Sequence, residues 1–342
     1  MAKRSGPTTS TTTTTEPRGD PAPGLILGSA DDPAIAVVRN ALAAAGHPAH
    51  FVDPSIVDYE LAVDARDGVL LRTDSWESVI TSTTRIWRRR SSWPTAGSFV
   101  SLAEPTREFA ASALSALWGS AYAQSAEWMN PRQPRFGLES DKVTQAITAD
   151  RVGLLTIPTL FTTSEAAFRS FVDRVDGDVA IKSPISWHAE IEGERDPYGT
   201  YTRRLGRREA LGMSSRIGGA ALLVQPYVEK EYELRITIVA GEVFACRIDS
   251  QASEVSSTDW RHYDLSHVKH HAWTVPADIS TKLISLMSEW HLLFACIDMI
   301  VEPSGRHRFV ELNPSGQYAW IEALTGLPIT QSITSWLLGE RR

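Results

Sequence analysis

Towards its C-terminal end the chain reads A-C-I-D-M-I-V-E-P-S-G-R-H-R-F-V-E-L-N-P-S-G-Q-Y-A-W-I-E, from Ala295 to Glu322. Asp298 lies inside one apolar run and Glu311 inside the next, with Pro303, Ser304 and Gly305 between them. Apolar runs separated by turn residues predict a hairpin. Glu311 and Asn313 are two residues apart, so in an extended strand they project from the same face. Asp298, Glu311 and Asn313 would then offer three hard oxygen ligands at a strand end. That donor set suits Mg²⁺, which is held by one or two carboxylates together with substrate phosphates. The plain alternative is an edge hairpin whose polar residues face water. An aspartate embedded in I-D-M-I speaks against it, because an unpaired buried carboxylate is costly.

Three further features lie upstream. Lys142 opens a predicted helix, and Lys182 ends the apolar run D-V-A-I-K; each taken alone reads as a plain surface lysine. The run from Leu222 to Val228 is broken by Pro226 and followed by Glu231-Tyr232-Glu233-Leu234-Arg235. A strand edge beside a proline leaves backbone groups to pair with an adenine, and a carboxylate close by suits ribose hydroxyls. Arg88, Arg89 and Arg90 close the segment I-W-R-R-R. They read either as a solvated charged face or as a contact for acidic peptide, since arginine forks match carboxylates. His267, His270 and His271 lack the neighbours of a four-ligand zinc set and read as surface loop.

The elements that must carry these residues follow from periodicity and punctuation. Asp32-Pro33 and Gly46 bound a helix over Pro33–Ala45. Short apolar runs at Leu25–Leu27, His50–Val52, Gly68–Leu71 and Val79–Trp87 read as strands. Pro105 to Ala121 has a helical stripe of Phe109, Ala113, Leu117 and Ala121, widened by Leu114 and Trp118. A linker is expected near residues 128–138, then a helix over Asp141–Val152 capped by Ser140 and stopped by Gly153. A helix follows Ser164 through Val175. Ser183 to Gly218 lacks apolar periodicity and reads as a long functional or mobile loop. Strands are expected at Ala221–Gln225, Leu234–Ala240 and Val243–Ile248, and helices at Ile279–Leu293 and Thr330–Leu338. Strands alternating with helices make the fold class α/β.

Composition narrows the class of protein. The chain has 342 residues, 42% hydrophobic and 22% charged, which suits a globular protein of two or three domains. A formal net charge of -7 gives no basic field, so nucleic acid is not the expected partner. Cys246 and Cys296 sit in apolar runs and read as buried thiols of a reducing compartment. No apolar stretch reaches the ~20 residues of a membrane span. No secretory signal opens the chain, so a cytoplasmic protein without a membrane partner is expected. Residues 1–23, with the Thr-rich run from Thr8 to Thr15, have only Met1, Ala2 and Ala22 as apolar residues to offset ordering and read as a disordered tail.

The ordered set of Lys142 with G-L-L-T-I-P, D-V-A-I-K, the linker with E-L-R, I-D-M-I and E-L-N-P resembles the ATP-grasp superfamily, over roughly residues 139–342. I-W-R-R-R, W-M-N-P, I-P-T-L-F-T-T at 157–163, D-W-R at 259 and the ending G-Q-Y-A-W-I-E are similar to the microviridin-type graspetide maturases, which close rings in ribosomally made peptides. The resemblance implies an N-terminal pre-ATP-grasp α/β domain over 24–138, a central ATP-grasp lobe over 139–227 and a C-terminal lobe with the metal site over 228–342. It implies that Lys142 and Lys182 contact the α- and β-phosphates of ATP. Gln225 and the backbone at Tyr227 and Val228 would meet adenine, and Glu233 the ribose. Asp298, Glu311 and Asn313 would hold Mg²⁺. Arg235, Arg247 and Arg261 are candidates for stabilising transferred phosphate, and Ser183–Gly218 for a lid. The loop after Lys182 departs from the family in lacking a dense glycine or serine cluster.

By the same resemblance the substrate is a precursor peptide, with a leader and a core rich in Thr, Ser, Glu and Asp, met by Arg88, Arg89 and Arg90. An Asp or Glu side chain would become an acyl phosphate, and a Ser or Thr hydroxyl or a Lys amine would displace phosphate. Maturases of this kind imply a homodimer. Two rivals stand beside this reading: another ATP-grasp carboxylate–amine ligase, acting on a protein or a small molecule, and an inactive nucleotide- or peptide-binding module.

Overall fold

The structure is a computed structural model that describes residues 24–66, 68–90, 93–124, 127–131, 138, 141–183, 188–189, 198–199, 202–217, 221–259 and 267–340. The tail read over 1–23 lies outside the described residues. β1 (Leu25–Gly28) leads into α1 (Pro33–Ala44), whose N-cap Asp32 accepts a hydrogen bond from the Ala34 amide at 2.9 Å. That is the expected Asp-Pro start, with proline at a position where no amide donor is needed. β2 (His50–Val52) returns parallel to β1, and β3 (Glu60–Asp64), β4 (Gly68–Arg72) and β5 (Glu77–Ile80) form a separate antiparallel meander. β6 (Arg85–Arg89) rejoins the first sheet parallel to β1. The run Val79–Trp87 is therefore two strands in two sheets, because the hydroxyl-rich turn 81–84 folds on itself through Thr84 Oγ1, which accepts from the Thr81 amide at 2.9 Å.

α2 is Thr106–Gln124, and of its expected apolar stripe Trp118 and Ala121 are buried but Phe109 and Ala113 are exposed. Phe109 is 74% exposed, while Ala111, Trp118, Ala121 and Tyr122 are buried. The expected linker at 128 is instead a strand: β7 (Glu127–Met129) pairs with β6, giving the order β2-β1-β6-β7. α3 (Lys142–Arg151) is capped by Asp141, not Ser140, through a 3.0 Å bond from the Thr144 amide. β8 (Leu160–Thr162), α4 (Glu165–Arg174) and β9 (Val179–Lys182) follow, then the short β10 (His188–Ala189) and β11 (Tyr198–Gly199). β12 (Arg203–Leu205), α5 (Arg207–Met213) and β13 (Leu222–Pro226) complete a sheet ordered β12-β9-β13-β8. The stretch Ser183–Gly218 is thus not one long loop. Leu205 and Ala210 anchor its second half in the core under α4.

The remaining strands make one antiparallel sheet: β14 (Tyr232–Val239), β15 (Glu242–Ile248), β16 (His270–Trp273), β17 (Phe294–Val301) and β18 (His307–Asn313), ordered β16-β15-β14-β17-β18. Ala240 and Gly241, at φ 46° and 87°, give the β14–β15 hairpin a turn whose twist matches the strands. α6 (Glu254–Ser257), α7 (Ala277–Ser288), α8 (Ala319–Thr325) and α9 (Ile329–Leu337) fill the connections and the end. Strand alternation divides this sheet. One face, with Leu234, Ile236, Ile238, Ile297 and Met299, packs against Leu283, Leu286 and Met287 of α7. The other, with Val239, Cys246, Phe294 and Cys296, shares a core with Ile26, Ile35 and Trp87 of the N-terminal sheet and its helix, and with Trp336 of α9. No described helix is long and apolar enough to cross a membrane.

Gly28, at the carboxyl end of β1, marks a close approach of backbones: a Cβ there would overlap the Arg89 carbonyl oxygen and Ile35 Cδ1. Because the carbonyl is backbone, β1 and β6 must separate to admit it. Gly28→Ala is expected to lower the unfolding free energy by about 2–3 kcal/mol, read by urea denaturation.

Candidate active site

The metal-type residues lie on the face of the large sheet that also meets the N-terminal unit. Asp298 pairs directly with Arg235 on β14 and with Glu311 on β18, and Cys296 pairs with Asn313. Residues opposite one another in an antiparallel pair share a face, so Arg235, Asp298, Glu311 and Asn313 point the same way. Simple alternation along F-V-E-L-N would put Phe309 there too. A register shift beside Asp298 and Met299, which pairs Met299 with Phe309 and skips Val310, prevents this. Phe309 stays 2% exposed in the opposite core while Glu311 turns to the site. Re-aiming a side chain in this way is a common use of a bulge beside a functional site.

Lys142, the first residue of α3, reaches Glu311 Oε2 at 2.8 Å, and Asn313 Nδ2 donates to Glu311 Oε1 at 3.0 Å. One turn further along α3, Gln145 donates to the Leu312 carbonyl at 2.9 Å and accepts from its amide at 2.8 Å. This side chain is wholly buried and pairs the edge strand β18 as a neighbouring strand would. It went unnoticed in the sequence, where a glutamine inside a helix carries no signal. Burial pushes against ionisation of Glu311, but Lys142, the Asn313 amide and the charge of Lys182 hold it well below the usual carboxylate range. At Asp298 burial prevails and raises the carboxyl, against the pull of Arg235 and with the push of Glu311. Arg235 Nη1 grips both Asp298 oxygens, at 2.9 and 2.8 Å.

The adenine-side residues lie at the join of the two larger sheets. Lys182 and Gln225 occupy the face of the β9–β13 pair opposite α4 and α5, since Lys182 pairs with Leu223 and Gln225 with Ala180. Gln225 donates to Thr159 Oγ1 at 2.8 Å. The Tyr227 amide donates to the Asp178 carbonyl at 2.8 Å, so of the two linker amides expected to meet adenine this one is already engaged. Arg204 lies 4.0 Å over the Tyr227 ring and is held by Asp178 and Glu229 at 2.6 and 2.9 Å. Glu233 is bridged at 2.7 Å by Lys230, a buried lysine that also donates to the Thr258 carbonyl at 3.1 Å.

The donor set fits Mg²⁺. Among the described residues no three His, Cys, Asp or Glu side chains make a self-contained cage. Two carboxylates and an amide, ringed by Lys142, Lys182 and Arg235, suit an ion whose other ligands are phosphate oxygens.

No family model and no curated protein matches the chain. Solved structures do. A RiPP-associated ATP-grasp ligase from Chryseobacterium gregarium, in complex with ADP and a leader and core peptide, superposes with a TM-score of 0.78 at 23% identity, over 93% of this chain and 97% of that one. The macrocyclase MdnC from Microcystis aeruginosa MRC, bound with precursor peptide MdnA, gives 0.74 at 23% identity over 92% and 99%. The ATP-grasp ligase PsnB, complexed with a precursor variant, Mg and ADP, gives 0.71 at 17% identity over 93% and 98%. The chain has the ATP-grasp fold.

Within this ATP-grasp fold some expected residues lie away from the centre. Arg247 pairs with Leu234, so it is on the sheet face opposite Asp298. There it sits 3.9 Å over Tyr232 and 5.3 Å from Trp273, with Nε on Asp249 at 2.7 Å. It does not face the site, because side chains alternate and 247 has the wrong parity. Arg89 is not a peptide-facing surface residue. It is 1% exposed and paired with Asp32 at 3.0 Å. Burial draws its guanidinium down and Asp32 opposes that. Arg88 lies over Trp93 and Tyr122, and Arg90 is exposed at φ 43°. Arg261 lies outside the described residues, as do most of 183–201.

The two faces make a testable difference. Arg235→Met strands the buried Asp298 carboxylate and is expected to cost about 3–5 kcal/mol. Arg247→Met loses aromatic stacking worth about 1 kcal/mol. Urea unfolding of the two variants checks this, and equal losses would contradict the assignment of faces.

Proposed function

We propose that this protein is an ATP- and Mg²⁺-dependent ligase that joins side chains within a ribosomal precursor peptide. The observation that carries the reading is that Lys142 from α3 and Lys182 from another sheet converge on the sheet face that carries Asp298, Glu311, Asn313 and Arg235. The solved structures of this fold named above support it: each holds a precursor peptide or its leader and core, and two hold ADP as well.

In this reading a carboxylate oxygen of a substrate Asp or Glu attacks the γ-phosphorus of ATP and ADP leaves. A Ser or Thr hydroxyl, or a Lys amine, of the same peptide then attacks the acyl carbon. Phosphate departs, and the hydroxyl or amine proton passes to solvent. The product is an ester or an amide and the net loss is one water. Bringing a carboxylate to a polyanion is repulsive, so fixed positive charge must lie where negative charge gathers. Lys142 and Lys182 supply it from two elements and Arg235 from a third. Val228 and Gln225 would seat the base and Glu233 the ribose, with Lys230 holding Glu233 in place. Asp298, Glu311 and Asn313 would hold Mg²⁺, which when bound neutralises phosphate charge. Because both reacting groups belong to one bound peptide, ring closure is an intramolecular step. Arg88 and Arg90 remain the candidates for contact with an acidic core. The homodimer implied by the resemblance belongs to the same proposal and is read by light scattering.

Incubation with a Thr-, Ser-, Glu- and Asp-rich precursor peptide, ATP and Mg²⁺ is expected to lower the peptide mass by one water per bond. Heavy oxygen placed in the reacting carboxyl should appear in the released phosphate. Asn313→Ala is expected to weaken the metal dependence by about 10–100-fold. ADP released on adding a free amino acid, with no change in peptide mass, would favour a small-molecule ligase.

A further inference from the structure

The segment after Asn313 is held largely through its backbone carbonyls. The Pro314 carbonyl accepts from Asn130 Nδ2 at 2.9 Å. The Ser315 and Gly316 carbonyls accept from Arg89 Nη1 at 2.8 and 2.7 Å, and Gln317 Oε1 accepts from Arg89 Nη2 at 2.7 Å. The Gln317 carbonyl accepts from Arg235 Nη2 at 3.3 Å. Every carbonyl from Pro314 to Gln317 is thus gripped by a side chain. Arg89 ends β6 and Asn130 directly follows the neighbouring β7 of the N-terminal sheet, whereas Arg235 is the partner of Asp298. Gly316 lies so close to the large sheet that a Cβ would overlap Cys296 Cβ and come within 3.0 Å of Arg235 Nη2.

We infer that Arg89 is a positioning residue for phosphoryl transfer. Through the 315–317 backbone it sets the angle at which Arg235 meets Asp298, and so the alignment of the metal ligands. The inference rests on the ligase reading above. Three features separate Arg89 from an ordinary strut. Its guanidinium is buried, its Nε is spent on Asp32, and both its Nη atoms converge on the loop that contacts Arg235. Only a planar fork meets acceptors in those directions at once; a lysine ammonium is a single point of charge. Arg85, on the same strand, is the natural control. It ties Glu127 at 2.8 Å and the Trp336 carbonyl at 2.6 Å, so the link it makes to the C-terminal part of the chain runs through α9.

The test compares Arg89→Lys, Gly316→Ala and Arg85→Lys in the full-length protein, with folding monitored by circular dichroism and thermal melting. Mn²⁺ binding in the presence of ADP is measured by electron paramagnetic resonance, alongside kcat and KM for the peptide. Arg89→Lys is expected to weaken Mn²⁺ by about tenfold and to lower kcat while KM for the peptide holds. Gly316→Ala displaces the same loop from its other side, so it should give the same signature with Arg89 intact. The double variant should lose little more, because both changes act through one element. Arg85→Lys should lower the melting temperature and leave Mn²⁺ affinity unchanged. If Arg89→Lys does not fold, Gly316→Ala decides. Wild-type metal affinity in the folded loop variants, or an equal metal defect in Arg85→Lys, overturns the inference. Failure of the wild-type protein to bind Mn²⁺ with ADP would instead sink the ligase reading.

Discussion

Asp298 and Glu311 stand directly opposite each other on neighbouring strands. Like charges in that position repel, and burial makes the repulsion costlier. Much of the architecture around the site can be understood as the answer to that conflict. Arg235 comes from the strand on the other side of Asp298, Lys142 from the start of α3, and Lys182 from the end of β9 in a different sheet. None of the three cations comes from the hairpin itself. The acidic pair therefore ties the large sheet to α3 and to the smaller sheet, which are also the walls a nucleotide would lie between.

The N-terminal unit enters the same arrangement from behind. Its core is continuous with one face of the large sheet through Trp87, Phe294, Cys296 and Trp336. Where that apolar contact gives way to the polar site, Arg89 and Asn130 take hold of the backbone that follows Asn313. Asn130 also accepts from the Leu293 and Phe294 amides at 2.9 and 2.8 Å, fixing the start of β17. One amide side chain thereby fixes both the start of β17 and the exit from β18. The unit that precedes the nucleotide-type lobes is part of the scaffold of the site.

The hairpin, its turn and the shared face of Glu311 and Asn313 were legible because strand alternation and turn residues are local properties. The helix that Lys142 opens was legible from its start signals, although its cap moved from Ser140 to Asp141; that Lys142 meets Glu311 was not. The bulge at Val310 was not, since it is selected by what packs on each face and not by the strand's own residues. Arg89 was misread for a related reason: a run of three arginines looks solvated unless one knows that β6 lies inside a sheet and abuts another unit. Arg247 was misplaced although its parity relative to Cys246 was there to be read; only the register with β14 says which parity faces Asp298. Phe109 shows the limit of helical stripes, because α2 is covered along a different arc.

The claim on which the account depends is that the Asp298–Glu311 face binds nucleotide through a divalent cation. Calorimetric titration of ADP with and without Mg²⁺, on the wild-type protein and on Glu311→Gln, tests it directly. The account predicts binding that weakens by about tenfold or more when Mg²⁺ is withdrawn, and a Glu311→Gln protein that stays folded yet has lost that dependence. Nucleotide binding indifferent to Mg²⁺, or unchanged in Glu311→Gln, would contradict it.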